Sequence, residues 1–271
     1  MKRYLKYIIM GIVAVTLYTL FFPGKDKEKG KPRDYQTIVE SGILRAVTEY
    51  NSISYFADGD TVSGFHYELL NAFARSKGLT PEIIPEMSFE KRQEGILTGK
   101  IRHTGKQHHS NQRIERLIAV HPPILLNKQV LVQRKPGLEN DSMYIHSQLE
   151  LARKTLHVVK GSPVLLRIHN LSNEIGDTIY IQEVEKYGPE QLLAMVAHGD
   201  IDYTVCDESI AQASINDFPQ LDIKTAISFT QFYSWGVSKH SPILLDSLNA
   251  WLDTYTLTPE FRELQKKYYN K

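Results

Sequence analysis

Apolar and polar positions along this chain fall into two rhythms. Ile43, Leu44, Ala46 and Val47, interrupted by Arg45, read as a strand, and residues 65–77 place Leu69, Leu70 and Phe73 on one helical face that Gly78 brings to an end. Glu82, Ile83 and Ile84 read as a second strand and residues 89–98 as a second helix, stopped by Gly99. The same alternation returns further on, with strands at 156–159, 178–182 and 202–206 and helices at 164–171, 189–198 and 208–215. Strands alternating with amphipathic helices predict open α/β sheets, here two in succession. Between them, residues 125–134 are apolar without a helical period, and a second extended stretch, 221–237, precedes two closing helices at 243–255 and 259–269. Two extended crossings between two α/β units predict hinged lobes with a ligand cleft between them.

The first residues follow a different pattern. Lys2, Arg3 and Lys6 precede an apolar or weakly polar run over 8–22, which breaks at Pro23-Gly24 and gives way to a charged stretch over 25–34. This is a basic segment followed by a hydrophobic one, the layout of an export signal. No small-residue cleavage motif follows it and no cysteine stands near residue 20. Residues 1–23 are therefore expected to be an uncleaved signal-anchor held in the inner membrane through residues 1–22. A cleaved signal peptide, leaving a soluble periplasmic protein, is the alternative. Residues 24–40 then form a charged linker, and the rest faces the periplasm. Two features oppose the anchor: the run is shorter than the roughly 18–20 residues of a comfortable span, and Lys25, Lys27, Lys29, Lys31 and Arg33 outnumber the positive residues before it.

Composition narrows the functional classes. In 271 residues, 32 Lys and Arg nearly balance 31 Asp and Glu, and 42% of positions are hydrophobic, so the chain folds around a sizeable core. A formal charge of +1 argues against nucleic acid, whose binding needs a concentrated basic surface. The single cysteine, Cys206, excludes an internal disulfide and a multi-cysteine zinc site, and its apolar strand makes it a small buried hydrophobe rather than a nucleophile. His103, His108, His109 and His121 match no metal-binding spacing, so neither metal nor cofactor is expected. Nucleophile elbows, phosphate loops and dinucleotide fingerprints are absent.

Several segments together carry a resemblance. Residues 42–47 (GILRAV), Tyr55-Phe56 and residues 64–69 (GFHYEL) are similar to the opening of bacterial extracellular solute-binding proteins of family 3. Residues 199–207 (GDIDYTVCD) resemble that family's second-lobe signature, and residues 234–239 (SWGVSK) its return strand. The likeness extends over roughly 41–269 and is strong toward the solute-binding half of membrane-bound lytic murein transglycosylases of the F type. It implies a two-lobed periplasmic-binding-protein type II fold, α/β in class, with lobe I at 41–128 and 236–271 and lobe II at 129–235. It also implies an amino acid, a short peptide or a peptidoglycan stem-peptide fragment as ligand. A degenerate lobe pair serving as a non-catalytic partner of a cell-wall enzyme is the alternative. Such transglycosylases carry the catalytic glutamate in a separate C-terminal domain, and this chain stops at Lys271 directly after the closing helix, so enzymatic activity is not expected.

The resemblance assigns site residues one by one. Asp207 matches the acceptor for a ligand ammonium, where a carboxylate makes charge-assisted bonds; a helix N-cap is the competing role. Gly161 and Ser162 match the turn that holds a ligand carboxylate at a helix N-terminus, with a plain serine cap as the alternative. Tyr55 or Phe56 matches the aromatic wall of the cleft, against simple core packing. Arg113 falls near the family's carboxylate-pairing arginine. The chain departs from the family over 101–111, where Arg102, His103, Lys106, Gln107, His108 and His109 stand in place of an apolar strand. Those side chains cannot all enter a buried sheet, so Arg113 is expected to be poorly supported.

Overall fold

A computed structural model describes residues 33–98, 117–119, 122–137 and 141–269. The expected anchor, most of the charged linker, the polar segment 101–111, Arg113 and the histidines 103, 108, 109 and 121 lie outside the described residues. No helix among the described residues is long and apolar enough to cross a membrane.

The chain enters through α1 (Tyr35–Ser41), capped by the Asp34 carboxylate, which accepts from the Tyr35 amide at 2.8 Å. The same carboxylate accepts from Leu244 N–H at 2.9 Å, at the start of helix α7 (Pro242–Tyr255). One side chain thus pins the entering segment to a helix more than two hundred residues later. Strand β1 (Ile43–Thr48) leads to a hairpin, β2 (Phe56–Asp58) and β3 (Thr61–Ser63), then to α2 (Phe65–Ser76). That helix buries Phe65, Leu69, Leu70, Phe73 and Ala74, the spacing of a single face. Gly64 at its head has φ 136°, and a Cβ there would collide with the Ser54 carbonyl and stand 2.7 Å from the Tyr55 amide nitrogen, so only glycine fits. Strand β4 (Thr80–Pro85) pairs in parallel with β1, and α3 (Phe89–Thr98) follows.

After the short strand β5 (Leu117–Ala119), the long apolar segment divides into β6 (Leu125–Asn127) and β7 (Gln129–Arg134), with Lys128 between them. β7 enters a second sheet with β8 (Thr155–Val159), β9 (Tyr180–Val184), β10 (Thr204–Asp207) and β11 (Leu221–Asp222), in the order β11-β7-β10-β8-β9. β8, β9 and β10 run parallel, whereas β7 is antiparallel to β10. Helix α4 (Val164–Ile175) covers one face through Ile168 and Leu171, which join Leu131, Leu156, Val158 and Val205. Helices α5 (Pro189–His198) and α6 (Glu208–Ser214) cover the other through Leu192, Leu193, Val196 and Ala211, against Val130, Val132 and Cys206. A sheet dressed on both faces explains why Val130, Leu131 and Val132 of β7 are consecutive and fully buried.

The return crossing lies against β7: Leu131 N–H donates to Thr225, and Ile227 and Ser228 N–H both donate to Gln129. It continues as β12 (Gln231–Tyr233), antiparallel to β6, and β13 (Gly236–Ser238), antiparallel to β5. Helix α7 and the following helix, α8 (Pro259–Tyr269), then complete the first core, where Val237, Leu248, Trp251, Leu252, Phe261, Leu264 and Tyr268 meet Leu44, Phe65, Leu69 and Phe73. Ile210 of α6 also packs into this first core, so α6 touches both cores.

Two strands sit two residues later than the apolar pattern predicts. β9 starts at Tyr180 because Asp177 and Thr178 form a turn, with the Asp177 carboxylate accepting from Thr178 N–H. β10 starts at Thr204 because Asp200 and Ile201 bond back to Met195 in the cap of α5, and Asp202 is drawn aside by Arg134 at 2.8 Å.

Candidate functional site

The parallel strands β8 and β10 end at the same edge of the second sheet, and that edge opens on a cavity of about 900 Å³ whose other wall is the carboxyl end of β1, the loop after it, and α3. Open α/β sheets bind ligands at this edge because the loops there are free to vary around a fixed scaffold.

Asp207 is the last residue of β10 and lines the cavity. Its backbone takes cap geometry at the head of α6, yet its side chain makes no cap bond; Oδ1 instead accepts from the Tyr233 hydroxyl at 2.7 Å. Burial pushes the carboxyl from 3.8 up to about 6, against the Tyr233 bond and with the help of Glu49. Directly opposite Asp207 in the β7–β10 register stands Gln129, which is 7% exposed and also lines the cavity. Its Oε1 has no hydrogen-bond partner among the described residues.

From the first lobe, Glu49 follows directly on β1 and reaches the same space, 3.4 Å from Arg92 of α3. Burial raises its carboxyl; Arg92 opposes that rise and Glu190 adds to it. Glu190, in the first turn of α5, accepts from the Ser52 amide at 2.8 Å, a hydrogen bond between the second sheet's helix layer and the loop after β1. Asn51 shapes that loop, its Oδ1 accepting from Ile53 and Ser54 N–H at 3.0 and 2.7 Å. Further back, His66 Nδ1 accepts from Trp235 Nε1 at 3.0 Å, and full burial lowers the imidazole to about 4, so it is a neutral acceptor.

The other sequence candidates are distributed differently. Ser162 lines the cavity, and its hydroxyl accepts from Val164 N–H at 3.4 Å, while the Gly161 amide donates to Glu183 at 2.9 Å and does not face the cavity. Neither Tyr55 nor Phe56 lines it: Tyr55 packs edge-on against Tyr67 at 5.6 Å, and Phe56 meets Tyr268 at 6.5 Å on the first core. The aromatic side chains that line it are instead Phe232, Tyr233 and Trp235 of the return crossing, Phe89 of α3 and Tyr269 of α8. Cys206 is buried, and desolvation holds its thiol well above its usual value, which suits packing and not nucleophilic attack. No group of three or more His, Cys, Asp or Glu side chains is placed to hold a metal among the described residues. Sequence reasoning missed Glu49, which lies one residue beyond β1, and Gln129, which opens β7 opposite Asp207; no motif in the sequence marks either.

Residues 44–271 match the family model described as bacterial extracellular solute-binding proteins, family 3. The chain belongs to this family. Among curated relatives, it is 27% identical over 267 residues to the membrane-bound lytic murein transglycosylase F of Photobacterium profundum, covering 95% of this chain and 50% of that protein. It is 26% identical over 242 residues to the protein of the same name from Pseudomonas fluorescens, covering 88% and 48%. The chain therefore spans about half the length of the curated relatives it matches. Among solved structures, an amino acid ABC transporter substrate-binding protein, AbpA, from Streptococcus pneumoniae bound to L-arginine superposes with a TM-score of 0.68 at 20% identity, covering 87% of this chain and 98% of that one. The two-lobed fold of periplasmic binding proteins is thus the fold of this family-3 member.

Proposed function

We propose that this chain is a periplasmic solute-binding protein, tethered to the inner membrane through residues 1–22, that closes its lobes on an amino acid, a short peptide or a peptidoglycan stem-peptide fragment. Lobe I is taken as 41–128 with 236–271 and lobe II as 129–235. The observation that carries the reading is the Asp207 carboxylate at the edge of the second sheet, facing the cavity and not capping its helix. Such a carboxylate is an acceptor for a ligand α-ammonium. The arginine-bound structural neighbour supports an amino-acid ligand, and the transglycosylase names of the curated relatives support a cell-wall setting. The chain binds and does not cleave.

One observation favours a second reading, a non-catalytic partner of a cell-wall enzyme: the Gly161 amide and Ser162 hydroxyl, which would receive a ligand carboxylate, are engaged by Glu183 and Val164. Calorimetric titration with amino acids, dipeptides and stem-peptide fragments separates the two. Binding that Asp207→Asn weakens by about 1.5–3 kcal/mol, the range for a hydrogen bond to a charged group, supports the first reading. No binding by any of these ligands refutes it.

A further inference from the structure

The turn into α4 has no amide to spare for a ligand carboxylate. Gly161 N–H donates to Glu183 at 2.9 Å, Ser162 N–H to the Val159 carbonyl at 3.1 Å and Val164 N–H to the Ser162 hydroxyl oxygen at 3.4 Å, while Pro163 has no N–H at all. Glu183 thus takes the place that a bound anion would take. A Cβ at Gly161 would stand 3.8 Å from Glu90 Oε1 of α3, so a second carboxylate flanks the same turn from the facing wall. An incoming carboxylate would meet like charge on both sides.

The basic side chains that line the cavity, among the described residues, are engaged as well. Arg33 donates to the Ser41 hydroxyl and the Ile43 carbonyl at 3.1 and 3.2 Å. Arg45 pairs with Glu82 at 2.6 Å, Arg92 with Glu49 at 3.4 Å, Lys160 with Glu185 at 3.3 Å and Arg167 with Glu174 at 2.6 Å. Acceptors, by contrast, are left over. Asp207 keeps Oδ2 beyond its bond to Tyr233, and Gln129, 7% exposed, has Oε1 without a partner among the described residues. An unpaired buried acceptor costs free energy until a donor reaches it. These two residues face each other across the β7–β10 pair, roughly 5 Å apart at their Cα atoms, so one small ligand reaches both.

We infer that the cleft selects an ammonium whose neighbouring carbonyl is an amide, as at the amino end of a peptide or in an amino-acid amide, over a free amino acid. The ammonium meets Asp207 Oδ2, the amide N–H meets Gln129 Oε1, and Glu183 keeps a carboxylate out of the turn at 161–164. This rests on the binding reading above and chooses among its ligands. It also accounts for the occupied turn without abandoning a ligand.

Calorimetry on the full chain near about pH 7, where Asp207 is ionised and the ligand amino groups are mostly protonated, tests it. L-alanine is compared with L-alaninamide and L-phenylalanine with L-phenylalaninamide, pairs that match in shape and differ in the carboxylate, with L-alanyl-L-alanine as the peptide. The amide of each pair is expected to bind at least about 10-fold more tightly than the acid, and the dipeptide to bind as the amides do. Glu183 is exposed on β9, and Glu183→Ala releases the Gly161 amide, so this variant is expected to tighten the acids and bring the ratio below about 3-fold. Its melting temperature without ligand shows whether it folds, and the native-chain ratios stand independently of it. A ratio unchanged in the folded variant overturns the part given to Glu183. Equal affinities within each pair, or a tighter acid, overturn the inference while leaving amino-acid binding in place. Failure of all five ligands removes both.

Discussion

Replacing Asp207 by asparagine should make the unliganded protein more stable, by an amount that depends on pH. The carboxyl is raised from 3.8 to about 6, chiefly by burial. Between these values the native chain holds a proton that the unfolded chain has already released. Stability therefore falls as pH rises through this window, and the loss is complete above about 6. At about 1.4 kcal/mol for each tenfold change in proton affinity, the interval corresponds to about 3 kcal/mol, a ceiling because the side chain is only partly buried and water screens it. Asparagine keeps the shape and an oxygen for the Tyr233 hydroxyl but carries no charge. Urea denaturation followed by tryptophan fluorescence should show Asp207→Asn more stable than the native chain by about 1–3 kcal/mol near pH 7.5, with the gap closing as pH approaches 4. A variant less stable near pH 7.5, or a difference that does not change with pH, would refute the argument that the cleft stores this charge at a cost. The same substitution that weakens an ammonium ligand is thus expected to strengthen the empty fold, the trade expected where a binding group is held out of water.

Two further outcomes test the scaffold. Gly64→Ala forces a Cβ into the Ser54 carbonyl at φ 136°, and should cost about 3 kcal/mol in denaturant unfolding; a loss below about 0.5 kcal/mol would mean that the loop before α2 yields easily. Asp34→Ala removes caps from α1 and α7 together and should cost about 1–3 kcal/mol, with hydrogen exchange quickening at both helix starts; quickening at α1 alone would show that the bond to Leu244 contributes nothing.

The helices were legible because an amphipathic face repeats within one segment: 65–77, 89–98, 189–198 and 259–269 correspond closely to α2, α3, α5 and α8. Strand starts were less so, since Thr178 and Asp202 are diverted by an aspartate turn and an arginine that the apolar pattern does not register. Helix α1 escaped because it buries only Ile38 and depends on Asp34. At the site, Asp207 was reached through the likeness of residues 199–207 to the family's second-lobe signature together with its place at a strand end. Gln129 becomes a site candidate only through its register with Asp207, a pairing between distant segments that one-dimensional pattern does not contain. Tyr55 and Phe56 show the converse: an aromatic loop reads the same whether its rings line a cavity or pack on Tyr67 and Tyr268.

The double crossing between the cores has a consequence for how the chain is made. Both cores of the second sheet draw on residues 130–227 for their buried members, one continuous stretch. The first core begins at Ile38 yet needs Val237, Trp251, Phe261 and Tyr268, so it stays incomplete until Tyr268 has emerged from the ribosome or from an export channel. Domains tend to form as units in the order in which they are released. Here the inserted unit can close first while the flanking one waits, exposing Leu69, Phe73 and their neighbours to whatever chaperone or protease is at hand. Helices α7 and α8 therefore act as a late clasp, and truncation within α8 would strand the N-terminal half in an unfinished state even though the inner unit had already formed.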